Sequence, residues 1–166
     1  MKHLYKIALF FVVILGITSC QPKVNYPIIP AITFQSLVVH PDSSATLKIL
    51  FTDGDGDIGY PSGETSAPPD FCFEILQQNA SGTFYTVTEP GVISDPVTGD
   101  TVVFPYHIPY ITPTGNNKEL SGQIQIALRK GDWSAANNVT EELCVWIIDR
   151  AGHKSNRIIT TPVLVP

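Results

Sequence analysis

An all-β, antiparallel sandwich is what the sequence predicts, on three observations. Period-two alternation of apolar residues recurs along the chain, turn-forming residues punctuate it at short intervals, and no segment carries a convincing helical period. Taken in chain order, residues 32–39 form a strand-like run that ends at the Pro41-Asp42 turn. In 46–51, Leu47, Ile49 and Phe51 fall on one face; in 71–76, Phe71, Phe73 and Ile75 do. Runs at 83–88 and 101–108 follow, separated by Thr98-Gly99-Asp100. In 122–129, Ile124, Ile126 and Leu128 alternate with Gln123, Gln125 and Ala127. In 142–149, Leu143, Val145 and Ile147 alternate with Cys144, Trp146 and Ile148, and 157–165 closes the series after Ala151-Gly152. The best helix candidate, 131–142, is weakened by Gly131, Asn137 and Asn138. Seven or eight short strands in this length predict a single immunoglobulin-like or fibronectin type III-like β-sandwich over residues 32–166, with a closed barrel as the alternative.

The first 31 residues read differently. Lys2 and Lys6 precede an apolar stretch from Leu9 to Ile17, the pattern of an export signal over 1–19. That stretch is too short for a comfortable membrane-spanning helix, which needs about 20 apolar residues. Ile17-Thr18-Ser19-Cys20 resembles the lipobox of bacterial lipoproteins. The resemblance implies cleavage before Cys20, acylation of that thiol, and anchoring by several acyl chains. Gln21, where an aspartate would signal retention, implies the outer membrane, and the lack of acids directly after Cys20 points to a periplasm-facing chain. Residues 20–31 then form a Pro-rich tether.

Charge narrows the functional classes. The chain of 166 residues has a formal charge of −5, and loss of Lys2 and Lys6 with the leader takes it to −7. A nucleic-acid surface needs a clustered basic stripe, so no nucleic-acid partner is expected. Cys72 and Cys144 both lie in predicted strands of an exported domain; they either form a disulfide or stay as buried thiols.

The most informative segment is 51–64, FTDGDGDIGYPSGE. Asp53, Asp55 and Asp57 alternate with glycines, which let the backbone curl so that carboxylates converge. Such hard oxygen donors suit Ca²⁺. Counted from Asp53, the ligand positions of an EF-hand-like loop fall on Asp55, Asp57, the Gly59 carbonyl and Glu64. Ile58 stands where that loop needs glycine, and the flanks read as strands, so the expectation is a calcium loop in a β context. Asp70 and Asp149 are candidates to complete the shell. A solvated Asp-Gly turn is the competing reading of the loop, and a turn-capping role the competing reading of Asp149.

FTDGDGDIG, the segment PYITPTG at 109–115, LSGQIQIAL at 120–128 and the closing VWIIDRAGHKSNRIITTPVLV at 145–165 together resemble a group of small lipoproteins of Bacteroidota. The resemblance spans most of 32–165 and implies one immunoglobulin-like sandwich, without implying an activity. Asp149-x-Ala151-Gly152-x-x-Ser155-Asn156 resembles the last hairpin of many bacterial immunoglobulin-like modules.

No catalytic motif stands out. His40, His107 and His153 are scattered without metal-ligand spacing, and there is no nucleophile elbow or phosphate loop. The expectation is therefore a non-enzymatic, membrane-anchored lipoprotein with a binding or structural role, a Ca²⁺-stabilised loop, and a protein or glycan partner. A carbohydrate-binding module is the first rival and requires an exposed, coplanar platform among Tyr106, Tyr110 and Trp133. A small hydrolase is the second and requires a cleft with converging polar groups.

Overall fold

The computed structural model describes residues 25–64, 67–87, 93–94, 101–102, 106–111, 113, 117–131, 133–134 and 137–166. The proposed leader and Cys20 lie outside the described residues, as do 88 and 103–105 of the expected strands. Among the described residues there is no helix, and ten strands appear. These are β1 (Ala31–Val39), β2 (Ala45–Asp53), β3 (Phe71–Gln78), β4 (Phe84–Thr86), β5 (Ile93–Ser94), β6 (Thr101–Val102), β7 (Leu120–Leu128), β8 (Val139–Ile147), β9 (Ile158–Ile159) and β10 (Val163–Val165).

Two antiparallel sheets make the sandwich. One has the order β1-β2-β7; the other has β10-β8-β3-β4, with β9 also on β8; β5 and β6 form a separate hairpin. The strand order is that of an immunoglobulin-like domain, in which the first, second and fifth main strands face a sheet built on the third and sixth. The alternation read from sequence supplies the core. Leu47, Ile49 and Phe51 from β2, with Ile124, Ile126 and Leu128 from β7, meet Phe71, Phe73, Ile75, Leu143, Val145 and Ile147 from β3 and β8. All are buried, and each large side chain contributes about 1.5–3 kcal/mol by leaving water.

Departures from simple alternation have local causes. The β1–β2 register shifts between Phe34 and Ser36. One extra residue there turns the inward set from Ile32 and Phe34 to Leu37 and Val39, which is why 32–39 shows no single period. The expected 157–165 strand is two short ones, because Pro162 cannot donate to the ladder. Among the described residues of 101–108, Thr101–Val102 is strand and Tyr106 makes an isolated bridge to Phe71.

β8 is buried on both faces. Its outward side carries Trp146, which packs with Cys72 and Ile148. Lys154 and Arg157 lie over the Trp146 ring, 4.5 and 4.2 Å from its centroid, and seal that small cluster. Cys72 and Cys144 are not bridged. Cys72 stands opposite Trp146 and Cys144 opposite Glu74, so the two cysteines are diagonal neighbours. Diagonal pairs sit about 7–8 Å apart, beyond the usual reach of a disulfide.

Trp133 belongs to the core. It is fully buried, and its indole N–H donates to the Ser43 carbonyl at 3.1 Å, tying the segment after β7 to the β1–β2 turn. Trp133→Ala is expected to cost about 3–5 kcal/mol in urea unfolding, because it opens a cavity and strands that carbonyl. A loss below about 1 kcal/mol would contradict this anchoring role.

Candidate metal centre

The acidic loop leaves the end of β2 and folds across the end of the sandwich. Asp53 is the last residue of β2, paired with Leu120, and is fully buried. Its Oδ2 accepts from the backbone N–H of Gly56 at 2.7 Å and of Asp57 at 3.1 Å. This side-chain turn reverses the chain within four residues. Gly56 permits it with φ +73°, and a Cβ there would overlap the Lys118 carbonyl and the Pro113 ring. Gly59 has φ +79°, and a Cβ there would sit 2.6 Å from the Pro109 carbonyl oxygen. Between them Ile58 is fully buried and plugs the end of the core.

The curl decides which carboxylates meet. Asp53 and Asp57 approach each other, while Asp55 points outward and is exposed. The third partner comes from the other sheet: Asp149, two residues past β8, is 1% exposed and joins them. One carboxylate oxygen from each of Asp53, Asp57 and Asp149 lies within 4.8 Å of the others. Backbone contacts hold the two loops together. Arg150 N–H donates to the Asp57 carbonyl at 3.2 Å, and Ala151 N–H to Asp57 Oδ2 at 3.0 Å. The Arg150 guanidinium donates to the carbonyls of Ile58 at 3.2 Å and Gly59 at 2.7 Å.

The EF-hand-like register is therefore corrected. The Gly59 carbonyl is taken by Arg150, Glu64 is exposed and outside the cluster, and Asp55 stands apart. Asp70 is also elsewhere: its Oδ1 accepts from Ile108 N–H at 3.0 Å and lies 3.5 Å from His107 Nδ1. Asp149 caps its turn and also stands beside the acidic loop. It accepts from His153 N–H at 2.7 Å and pairs with His153 Nδ1 at 2.8 Å, while it faces Asp53 and Asp57.

Three like charges at this spacing repel by about 3–4 kcal/mol per pair at an effective dielectric near 20. A typical net hydrogen bond contributes about 1 kcal/mol, so the turn bonds alone do not offset the repulsion. Burial pushes Asp53 up to about 6, with the charges of Asp55 and Asp57 adding to it. Burial and then the Asp149 charge raise Asp57. The hydrogen bond to Asp149, and then its charge, raise His153. Two buried carboxylate oxygens, Asp53 Oδ1 and Asp57 Oδ1, have no hydrogen-bond partner among the described residues. An arrangement of hard oxygen donors with unfilled lone pairs and excess negative charge is chemically suited to a small hard cation.

The aromatic platform is not formed. Trp133 is in the core, and Tyr106 packs edge-on against Phe71 with centroids 6.5 Å apart. Tyr110 is 44% exposed, with the Arg150 guanidinium 4.7 Å above its ring. The three histidines also separate: His40 contacts Thr46, His107 faces Asp70, and His153 faces Asp149.

Asp70 supplies a test of the electrostatics at this end that is separate from the cluster. Burial pushes it up to about 6 from an ordinary 3.8. Between those values the folded chain holds more protons than the unfolded one, so stability falls as pH rises from about 4 to about 6. In EDTA, wild type is expected to melt higher at pH 5 than at pH 7.5. Asp70→Asn keeps an acceptor for Ile108 N–H, and is expected to flatten that slope by about 2 kcal/mol across the window. An unchanged slope would remove Asp70 as its source.

No family model, curated protein or solved structure matches the chain, so the geometry above carries the functional reading.

Proposed function

We propose that this chain is a non-enzymatic, lipid-anchored envelope module whose sandwich domain is closed at one end by a bound Ca²⁺. The observation that carries the metal is the convergence of Asp53, Asp57 and Asp149, with the buried Asp53 Oδ1 and Asp57 Oδ1 unsatisfied. Calcium is favoured because every side-chain donor is a carboxylate oxygen and the ion accepts irregular shells completed by water. Its role is structural. The ligands come from the end of β2 and the loop after it in one sheet and the turn after β8 in the other, so the ion clamps the sheets together. An ion bound only by the folded state stabilises it by RT ln(1 + [L]/Kd), about 2.7 kcal/mol at a hundred times Kd. The loops around the clamp are then held still for a protein or glycan partner.

The metal is tested by melting the mature chain in millimolar Ca²⁺ and in EDTA. A rise of about 5–10 °C with Ca²⁺ is expected. Asp57→Asn abolishes the rise and the exposed Asp55→Asn retains most of it. Equal melting in Ca²⁺ and EDTA would remove Ca²⁺ from the cluster and leave it a buried turn held by its hydrogen bonds.

The anchor rests on Lys2, Lys6, the apolar stretch and the Ile17–Cys20 motif. Metabolic labelling with a radioactive fatty acid is expected to mark the wild-type chain in the outer-membrane fraction. Cys20→Ala is expected to lose the label and leave the membrane. A labelled, membrane-bound variant would place the anchor elsewhere.

A further inference from the structure

A second site lies beside the clamp and uses none of its ligands. Tyr60, Pro61 and Glu64 from the loop before β3 face His107, Ile108 and Pro109 across a pocket of about 500 Å³, within the usual range for small-ligand sites. Behind it sits Asp70, a carboxylate with 0% exposure that the clamp leaves unused. Its Oδ1 accepts from Ile108 N–H at 3.0 Å and lies 3.5 Å from His107 Nδ1. Its Oδ2 is buried without a hydrogen-bond partner among the described residues. The His107 side chain is 42% exposed. With Nδ1 turned to Asp70, the other ring nitrogen, Nε2, is left at the opposite edge of the ring.

The chemistry of the lining selects the ligand. Two carboxyl groups, Asp70 behind the pocket and Glu64 on its rim, dominate its field, and among the described residues no lysine or arginine lines it. The Tyr60 phenol feels that field: burial first, then the charges of Asp70 and Glu64, push it up against the opposing charge of Arg150. Anions are therefore disfavoured. A divalent metal is disfavoured too, because among the described residues only Asp53, Asp57 and Asp149 bring three ligand atoms together. Separated negative charge, an imidazole edge and walls of proline, isoleucine and tyrosine suit an organic cation that carries N–H donors on an apolar stem.

We propose that the pocket between Tyr60–Glu64 and His107–Pro109 binds a primary alkylammonium group, held by Glu64 and His107 and attracted by the buried Asp70. The site is independent of the calcium reading, and the test keeps the two apart. The ¹⁵N-labelled mature chain is titrated in EDTA with n-butylammonium, butan-1-ol, butyrate and methyl α-glucoside, followed by amide chemical shifts. Saturable shifts at Tyr60, His107 and Ile108 are expected with the amine alone. Affinity is expected to fall at least fivefold in Glu64→Gln, an exposed substitution whose unchanged spectrum elsewhere reports an intact fold, and to survive in Asp57→Asn. Absence of a saturable shift with the amine, an equal response to butan-1-ol, or saturation by methyl α-glucoside instead would overturn the proposal. So would wild-type affinity in Glu64→Gln, or shifts confined to Asp53–Asp57.

Discussion

Convergence of the buried Asp53 and Asp149 and the half-buried Asp57 at one end of the sandwich is the constraint on which the rest of the loop architecture depends. A carboxylate at 0% exposure must find donors or a counter-charge. Asp53 finds two backbone N–H groups by curling its own loop, and that curl sends Ile58 into the core and Asp55 to solvent. Asp57 then accepts from Ala151, and its carbonyl accepts from Arg150, which brings the turn after β8 against the loop after β2. Each step satisfies one polar group and places the next. The net charge that remains is what the proposed cation offsets.

Arg150 divides this end into two electrostatic compartments. Its backbone and guanidinium bind carbonyls of the acidic loop, and its guanidinium lies over Tyr110. On one side are the three clustered aspartates. On the other are Tyr60, His107 and Asp70, where the buried charge is single and partly offset by the Ile108 N–H. Dense carboxylates suit a small hard ion; a lone buried carboxylate behind an apolar pocket suits a cationic head on an apolar stem. The same polarity of field thus supports two different ligand chemistries, separated by geometry.

The opposite, outward face of the second sheet shows how the fold keeps an extra apolar layer from becoming a sticky surface. Trp146, Cys72 and Ile148 project away from the sandwich core, yet all are buried. Lys154 and Arg157 cover the indole with their apolar stems and place their charges over its face, and Arg157 also reaches Glu74 at 3.3 Å. Two long cations therefore replace a third layer of structure.

The fold was legible in the sequence because half-buried strands write their faces as alternation, and Leu47, Ile49 and Phe51 or Phe71, Phe73 and Ile75 report directly which side meets the core. The density of aspartates in 53–57 was legible for the same local reason. What local pattern does not carry is which partners meet across the chain. The alternation of Asp53, Asp55 and Asp57 suggested three converging ligands, but the Gly56 turn pairs residues four apart and expels the middle one. The third clustered carboxylate, Asp149, lies 92 residues beyond Asp57 and joins only because β2 and β8 finish at the same end of the sandwich. Whether Trp133 and Tyr106 formed an exposed platform was open in the sequence; packing puts Trp133 in the core and Tyr106 half-buried against it. Local chemistry set the strands, the turns and the acids; side-chain burial and long-range convergence, which depend on how two sheets stack, were decided by the tertiary structure alone.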